Sequence, residues 1–539
     1  MSKPISWVSV CSGTRLNNRY THTAFFPDEV AQKTWFLSKT VKEFKGYTYL
    51  RKNWAIKVEA SMQEANTWDY LYFANPYPAE GGGNHTGKIW YYFITNIQYV
   101  NENTVELSLE LDVLQTYLFD FQLLPCYVDR MHSTTDGIGE NTVEEGLAVG
   151  EYVVNSQTDT TVLNDLCILV QATEDPGKTS ANLAVQALPY KYNGVFSGIR
   201  IYAVDGQHWQ EWGNRIDTLH EEGKSDCIVS MWMYPECLVR LGGENEWGDN
   251  VLCKTVNGAG FEAVAAPGRP STLNGYNPKN KKLLGYPYSF LYATNNQGGS
   301  AVYRYERFTD PTDLTFTISG ALGADAAVHM WPANYNGVEV NYHEGLGLSG
   351  FPTCAWDSDT YKLWLAQNQN QHNLAANTAG LKIFGGAAAV GFGLMSGNLM
   401  AAGAGAGAAI SGVQQIMEME AQRHDMEIVP PQARGNHSAS VNVSFGKQLF
   451  TFQRKTVTAE YARKIDDYFT MYGYKTGRCL TPKFNHRKSH VYVKTVDCKI
   501  KGSFCAEDSA RIESIFDKGV TFWRDPNGLG DYTRDNSII

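Results

Sequence analysis

The most regular pattern of apolar and polar residues lies in two neighbouring stretches of the N-terminal region. Residues 90–101 and 105–117 both alternate apolar with polar side chains, and a short connection of Asn, Glu and Thr joins them. Successive side chains of a strand point to opposite faces, so the apolar residues of the second stretch would share one face. These residues are Val105, Leu107, Leu109, Leu111 and Val113. The pattern predicts a long β-hairpin.

Towards the C-terminus the apolar spacing becomes helical. Residues 457–472 repeat apolar residues at three- and four-residue intervals and precede Gly473, which predicts an amphipathic helix ending there. Its apolar face would contain Tyr461, Ile465, Tyr468, Phe469 and Tyr472. Residues 490–502 alternate like a strand, and residues 506–517 have helical spacing. We expect the N-terminal hairpin to supply the sheet on which these elements pack.

The middle of the chain has short apolar runs between turn residues. Runs at 166–170, 198–204 and 314–318 are separated by many Gly, Asn, Asp and Pro residues. This spacing predicts several small β or α+β lobes.

A long uncharged segment interrupts these globular patterns at residues 383–417. Its 35 residues exceed the roughly 20 that a helix needs to cross a bilayer. It also contains nine glycines, and each costs about 1 kcal/mol relative to alanine inside a helix. A segment that inserts into a membrane only when released fits both properties. A buried core hairpin and a permanent transmembrane span remain as alternatives.

Small and bulky residues have separate roles in this interpretation. Glycines four residues apart let apolar helices approach closely in lipid, as Gly393 with Gly397 and Gly403 with Gly407 would do. The bulkier anchors would be Phe384, Val390, Phe392, Leu394, Met395, Leu399, Met400 and Ile410. A Gln- and Asn-rich tract precedes the segment and a proline pair follows it, which indicates an excursion from a folded domain.

Composition and charge narrow the function classes. A chain of 539 residues predicts two to four domains, and 13% aromatic residues favour strands and broad interfaces. The net charge of −10 argues against a protein that grips duplex DNA, although an acidic channel would let DNA slide through without sticking. Ten cysteines without a CxxC pair, and no basic and apolar leader, predict folding in a cytoplasm.

No motif selects a catalytic, cofactor-binding or metal-binding residue. Residues 82–88 match the start of a phosphate-binding loop, but Ile89 has no hydroxyl for Mg²⁺ and a strand follows, so we predict a glycine-rich turn. His486 and His490 lie in a Lys- and Arg-rich connector without further ligands, which predicts a solvated loop. We therefore expect a protein that is not an enzyme and has no cofactor.

Several blocks of sequence resemble one known family. Residues 110–120 (ELDVLQTYLFD), which include the motif Asp112, Val113, Leu114, Gln115 and Thr116, are similar to the hairpin strand of tail knob (distal tail tube) proteins. These belong to small short-tailed bacteriophages, podoviruses of the Salasmaviridae and Picovirinae type. Similar blocks follow in the same order, at residues 142–146 (TVEEG), 428–432 (IVPPQ), 459–474, 494–498 (KTVDC) and 515–532.

The resemblance implies a structural protein of the virion tail, made in the host cytoplasm. It implies a homo-hexameric tube for genome ejection, with genomic DNA passing through the lumen without sequence-specific binding. Six hydrophobic loops would plug that lumen and then penetrate the host cytoplasmic membrane. Other phage tail proteins, the upper collar or connector and the tail tip, would be its partners.

The expected fold is a β-rich α+β multidomain protein: a tube-forming, β-barrel-like tail domain with inserted lobes and a long hydrophobic loop. Residues 1–150 and 435–539 would form the two halves of the tube domain, residues 151–365 the middle lobes of the lower tube, and residues 366–434 the membrane-active plug. Two other functions stay open. A glycan-binding or cell-wall-degrading tail protein would use the aromatic-rich middle lobes, and a pore-forming toxin would need an export signal.

Overall fold

A computed structural model describes residues 6–47, 55–75, 77–78, 84–85, 87–160, 166–172, 176, 191–192, 195–196, 200–221, 227–247, 251–322, 326–351 and 449–539.

The N-terminal part of the chain alternates strands with short helices. In chain order these are β1 (Ser6–Cys11), β2 (Thr23–Ala24), α1 (Glu29–Lys39), β3 (Thr40–Tyr47), β4 (Ala55–Glu59), α2 (Met62–Ala65), β5 (Tyr70–Ala74), β6 (Tyr77–Pro78), β7 (Asn84–His85), β8 (Ile89–Asn101), β9 (Thr104–Leu111), α3 (Val113–Tyr117), β10 (Phe121–Leu123) and β11 (Cys126–Met131).

The middle and C-terminal parts continue this β-rich pattern. The middle contains β12 (Tyr152–Asp159), β13 (Leu166–Ala172), β14 (Lys191–Tyr192), β15 (Val195–Phe196), β16 (Arg200–Asp205), α4 (Trp209–Glu221), β17 (Ile228–Pro235), β18 (Val239–Trp247), β19 (Val251–Ala259), β20 (Phe261–Ala266), β21 (Ser289–Thr294), β22 (Ser300–Tyr303), β23 (Leu314–Ala321), β24 (Ala327–Tyr335), β25 (Val338–Val340), β26 (Leu346–Ser349) and β27 (Thr451–Val457). The C-terminal elements are α5 (Ala459–Tyr472), β28 (Tyr474–Leu480), β29 (His490–Val496), β30 (Ile500–Gly502), α6 (Ala506–Lys518) and β31 (Val520–Trp523).

The chain divides into two compact units. Unit 1 consists of residues 1–150, 275–285 and 458–539, and unit 2 consists of residues 151–274 and 286–457. The short stretch 275–285 thus belongs to unit 1, and β27 belongs to unit 2. The domain boundaries predicted at 365/366 and 434/435 lie outside the described residues and stay predictions.

The first sheet of unit 1 contains the predicted hairpin. Its strand order is β3-β1-β5-β8-β9-β4, and β8 pairs with β9 in antiparallel register. The predicted inward face of β9 is confirmed, because all its apolar residues from Val105 to Leu111 are buried. The prediction that the strand runs on to Tyr117 is wrong. The strand ends at Leu111 because the carboxylate of Asp112 caps helix α3.

The second sheet of unit 1 joins the two ends of the chain. Its order is β2-β31-β29-β11-β28, so the C-terminal strands pair with β2 and β11. The expectation that the hairpin supplies the sheet is therefore wrong for the C-terminal strands, because the hairpin lies in the first sheet. Helix α6 does contact the hairpin, since the Arg511 guanidinium donates to the Leu111 carbonyl at 3.4 Å. Residues from both sheets and from α1, α3 and α6 form one apolar core.

The helix predicted at 457–472 is confirmed as α5, but its buried face differs from the prediction. Thr458 caps its N-terminus, and Gly473 ends it with a φ of +65°. The buried side is formed by Ala462, Ile465, Asp466, Phe469 and Thr470. Tyr461 is 37% exposed, so the inward face is rotated from the predicted one.

The other C-terminal predictions hold with one interruption. Helix α6 covers the predicted residues 506–517. The strand predicted at 490–502 is broken into β29 and β30, because Asp497 adopts a φ of +55° and the next amide, of Cys498, donates to the Asp517 carboxylate at 3.1 Å.

Among its described residues, unit 2 contains three larger sheets. Their orders are β12-β27-β21-β22, β17-β13-β16-β19-β18 and β20-β23-β24-β25, with β26 also paired to β24. The apolar runs at 166–170 and 314–318 lie in β13 and β23, and residues 200–204 of the third run lie in β16. Helix α4 buries Trp212 and Leu219 in a small core beside the five-stranded sheet. The described chain is therefore β-rich α+β and multidomain, as predicted.

Candidate functional site

The motif at residues 112–116 lies at the start of α3 in the core of unit 1. Its carboxylate, on Asp112, accepts hydrogen bonds from the backbone N–H of Gln115 at 3.1 Å and from the hydroxyl of Tyr70 at 2.9 Å. Burial raises the pKa of Asp112 to about 7, although both hydrogen bonds favour the charged form. This carboxyl therefore fixes the corner between β9 and α3.

The other polar residues of the motif connect α3 to its neighbours. The side-chain amide of Gln115 donates to the Ala24 carbonyl at 2.7 Å, and its oxygen accepts from the Gln32 amide at 3.0 Å. The Thr116 hydroxyl accepts from the backbone N–H of Tyr91 at 3.2 Å. All five motif residues are buried. Their partners come from β2, α1, β5 and β8, so the motif joins these elements within unit 1.

A buried carboxylate in α5 holds the stretch 275–285 in unit 1. Asp466 is fully buried and accepts hydrogen bonds from the Tyr276 hydroxyl at 2.7 Å and the Lys279 backbone N–H at 2.7 Å. The backbone and side-chain amides of Asn280 also donate to it, at 3.0 and 2.8 Å. Our sequence analysis did not identify Asp466. Its position next to Ile465 and three residues before Phe469, on the buried face of α5, was the available signal.

A second buried carboxylate binds the same stretch from the other side. Glu145, in the TVEEG block, has a side chain only 1% exposed and forms ion pairs with Arg130 and Lys282. It also accepts from the Lys475 backbone N–H at 3.0 Å, while Lys282 donates to the Val143 carbonyl at 2.7 Å. Burial lowers the pKa of Lys282, and Glu145 opposes that shift. Two of the blocks that resemble tail knob proteins thus contribute buried carboxylates that hold 275–285.

An open pocket of about 410 Å³ lies beside this ion cluster. Aromatic rings and charged groups line it: Asp129, Arg130, Glu145, Tyr468, Tyr472, Lys475, Tyr492 and Lys494. Most of the charges are already paired, since Lys494 contacts Asp129 at 3.2 Å and Arg130 binds Glu145.

The prediction that His486 and His490 lie in a solvated loop is wrong. His490 is 1% exposed and packs against Trp523, with ring centres 4.6 Å apart. Its Nε2 and that of His132 both lie within hydrogen-bond distance of the Thr470 carbonyl, at 2.8 and 3.1 Å. Burial lowers the pKa of His490 to about 4, so the ring is neutral at pH 7. His486 is half-buried.

The stretch that resembles a phosphate-binding loop is followed by a strand, as predicted. Strand β8 begins at Ile89, where a phosphate site would need a helix N-terminus. Lys88 forms an ion pair with Asp120 and lies 3.6 Å from the centre of the Tyr117 ring. Within the part of the chain that the structure describes, no cluster of three or more His, Cys, Asp or Glu residues has the geometry of a metal site.

The candidate membrane-active residues, from Phe384 to Ile410, lie outside the described residues. The chain on either side of 352–448 is described, and both ends belong to the core of unit 2. Phe351 is 4% exposed, and Leu449 and Phe450 are fully buried. No helix among the described residues combines the length and the apolar character that crossing a membrane requires.

Comparison with known proteins gives the family. Residues 254–537 match the family model described as Bacillus phage phi29, Tail knob protein gp9, C-terminal domain. The chain belongs to this tail knob protein family. Residues 4–122 also match the model of the caudoviral major tail protein N-terminus. The resemblance drawn from the sequence blocks is confirmed.

Similar proteins extend this result over the whole chain. Tail knob protein gp9 of Bacillus phage B103 is 25% identical over 603 aligned residues, and that of Bacillus phage phi29 is 24% identical over 599. Each alignment covers 98% of both chains. The solved structure of the bacteriophage C1 tail knob protein gp12 matches with a TM-score of 0.65 and 15% identity, over 99% of this chain and 100% of that one. The two share a fold.

Family membership makes this chain a phage tail knob protein, a structural component of the virion tail. Its relatives are structural proteins, which agrees with the expectation that it is not an enzyme. The buried networks around Asp112, Glu145 and Asp466 are therefore parts of a tail knob fold.

Proposed function

We propose that this tail knob protein assembles into a homo-hexameric tube through which the genome leaves the virion. Residues 383–417 of each copy first plug the lumen and then penetrate the host cytoplasmic membrane. The observation that carries this proposal is an uncharged segment of 35 residues inside a chain of the tail knob family. No charge has to be removed from water when such a segment enters lipid.

The nearest described residues on either side of the segment support its role as an insert. Phe351 on one side and Leu449 and Phe450 on the other are core residues of unit 2. A folded base of this kind lets the segment change its surroundings while the strands that carry it keep their packing. Gly393, Gly397, Gly403 and Gly407 would allow close contact between inserted helices, and the bulkier residues from Phe384 to Ile410 would contact lipid.

The remaining parts of the chain receive roles that follow from this assembly. Unit 1 is the tube domain, and the motif Asp112, Val113, Leu114, Gln115 and Thr116 keeps its sheets at a fixed angle. The middle lobes lengthen the tube, and other tail proteins, the upper collar or connector and the tail tip, bind its ends. A net charge of −10 per copy favours a negative lumen that passes DNA without sequence-specific binding. The protein is made in the host cytoplasm and has no catalytic activity.

Dye release from liposomes tests the membrane step. Deletion of residues 383–417 should abolish release while the oligomer stays intact. The double substitution Leu394→Asp and Leu399→Asp should also abolish it, because each acidic side chain at the centre of an inserted helix costs about 2.5 to 3.5 kcal/mol. Gln369→Asp, which adds the same charge in the polar tract before the segment, is the matched control and should leave release unchanged.

Two results would refute the proposal. Equal dye release by the deletion variant and the unsubstituted protein would exclude the segment as the membrane-active part. Electron microscopy of the purified protein should show a six-fold ring with a central channel, and a stable monomer at high concentration would exclude the tube.

A further inference from the structure

The turn between β21 and β22 in unit 2 is held in one conformation by its own side chains. The side-chain oxygen of Asn295 accepts from the backbone N–H groups of Gln297 at 2.9 Å and Gly299 at 2.8 Å. Asn296 adopts a φ of +56°, a left-handed conformation that Asn tolerates better than most residues. A Cβ on Gly299 would lie 2.6 Å from the Asn295 amide nitrogen, so a larger residue there would displace the Asn295 side chain. The backbone of the turn is therefore fixed, and it positions the side chains of Asn296 and Gln297.

The turn binds the strand that precedes residues 352–448. The Asn295 amide donates to the Gly347 carbonyl at 2.7 Å. The Gln297 amide donates to the Ser349 carbonyl at 2.6 Å and accepts from the Ser349 backbone N–H at 3.3 Å. Gln297 thus pairs with Ser349 as a neighbouring strand would, at the end of β26. We call β26 and Phe351 the incoming stem.

The turn also binds the strand that follows residues 352–448. The Asn296 amide donates to the Thr451 hydroxyl at 3.1 Å, and that hydroxyl donates to the Asp159 carboxylate at 2.7 Å. Thr160 and Phe450 form two further hydrogen bonds. The Thr160 backbone N–H donates to the Phe450 carbonyl at 2.9 Å, and the Phe450 backbone N–H donates to the Thr160 hydroxyl at 3.0 Å. We call Leu449, Phe450 and the start of β27 the outgoing stem.

We infer that the turn at residues 295–299 is a tie that holds both stems of residues 352–448 at a common base. Asn296 and Gln297 are adjacent in the chain, yet they bind opposite stems. The ends of a long inserted segment tend to separate because bringing them together costs closure entropy, which rises with the length of the segment. Contacts that join the two ends oppose this tendency directly.

The inference rests on the proposed function for its biological meaning. If residues 383–417 leave a stored position and enter a membrane, the stems must not be pulled from the unit 2 core with them. The tie confines the rearrangement to the residues between Phe351 and Leu449. Asn296 and Gln297 are therefore positioning residues for the membrane-active segment.

Hydrogen exchange of the full-length protein tests the tie. The double variant Asn296→Gly and Gln297→Ala removes both side chains, and glycine keeps the left-handed backbone that the turn requires. Exchange at residues 346–351 and 449–451 should become at least tenfold faster, while exchange in β13 of the same unit stays within twofold. Ser300→Ala, an exposed hydroxyl at the edge of the same turn, is the control and should change neither stem.

The outcomes separate this inference from the proposed function. Exchange within twofold of the unsubstituted protein at either stem would overturn the tie, and so would an equal acceleration in β13, which would indicate general destabilisation. Dye release from liposomes is measured with the same preparation of unsubstituted protein that serves as the reference for hydrogen exchange. Loosened stems in a protein that releases no dye would leave the tie standing and refute the membrane function.

Discussion

Replacing Asp466 with alanine should release the stretch 275–285 from α5. The carboxylate is fully buried and receives four hydrogen bonds, from the Tyr276 hydroxyl, the Lys279 backbone N–H and two N–H groups of Asn280. A hydrogen bond to a charged group contributes about 1.5 to 3 kcal/mol, and a buried donor left without a partner costs about 1 to 3 kcal/mol. These terms overlap, so we expect Asp466→Ala to lower the local free energy of opening by about 4 to 6 kcal/mol.

Hydrogen exchange at the amides of Lys279 and Asn280 measures this change directly, because both amides donate to the carboxylate. Every 1.4 kcal/mol corresponds to about a tenfold change in the opening equilibrium, so exchange should accelerate by roughly a thousandfold or more. Asp466→Asn should give a smaller acceleration, since it keeps the shape and one acceptor oxygen but replaces the other with an NH2 group that faces donors. Asp467→Ala removes the exposed neighbouring carboxylate and is the control, with an effect below about 0.5 kcal/mol. Equal exchange in the Asp466→Ala and Asp467→Ala variants would refute the reasoning.

Three further predictions concern stability. Burial lowers the pKa of His490 to about 4 in the folded protein, against about 6.5 in the unfolded chain. The neutral ring therefore makes its full contribution to the free energy of unfolding above pH 6.5, and this free energy falls by about 1.4 kcal/mol per pH unit as the pH drops towards 4. Thermal melts at pH 4.5 to 7 should therefore show a shallower acid dependence for His490→Gln, and identical slopes would contradict this. Gln115→Leu should cost about 2 to 5 kcal/mol in denaturant titrations, because the buried Ala24 carbonyl loses this donor and the Gln32 amide loses one of its two acceptors, whereas the exposed Gln122→Leu should stay within about 0.5 kcal/mol. Gly473→Ala should destabilise more than Gly146→Ala in the same melts: both have positive φ, but a Cβ at 473 would lie 2.3 Å from backbone atoms and one at 146 meets nothing within 4 Å. A larger loss for the Gly146 variant would show that steric contact is not the cause.

The sequence predicted those parts of the fold whose patterns are local. The hairpin of β8 and β9 and the helices α5 and α6 have periodic apolar residues, and the structure confirms them. Helix α3 was missed because the alternation of β9 was extended to Tyr117, although the adjacent apolar residues Val113 and Leu114 interrupt it. One carboxylate decides the outcome. Asp112 satisfies the backbone N–H of Gln115 and so ends β9.

The buried polar groups could not be predicted, because their partners are distant in sequence. Asp466 is buried by residues 276–280, and His490 by Thr470 and Trp523. A charged or titratable residue is predicted to be exposed until its partner is known, since burying it without a partner costs free energy. An acid on the inward face of an amphipathic helix is therefore a useful warning of a long-range contact.

The parallel pairing of β2 with β31 has a consequence for how this protein is made. Thr23 pairs with Phe522, so a strand near the start of the chain can pair only after a strand near the end has been synthesised. The first sheet of unit 1 needs only residues 6–111, and a ribosome can complete it early. The second sheet closes only after β31 has been synthesised, and pairings over such separations form slowly. A product of premature termination before residue 520 therefore lacks β31, and with it Val520, Phe522 and Trp523 of the unit 1 core.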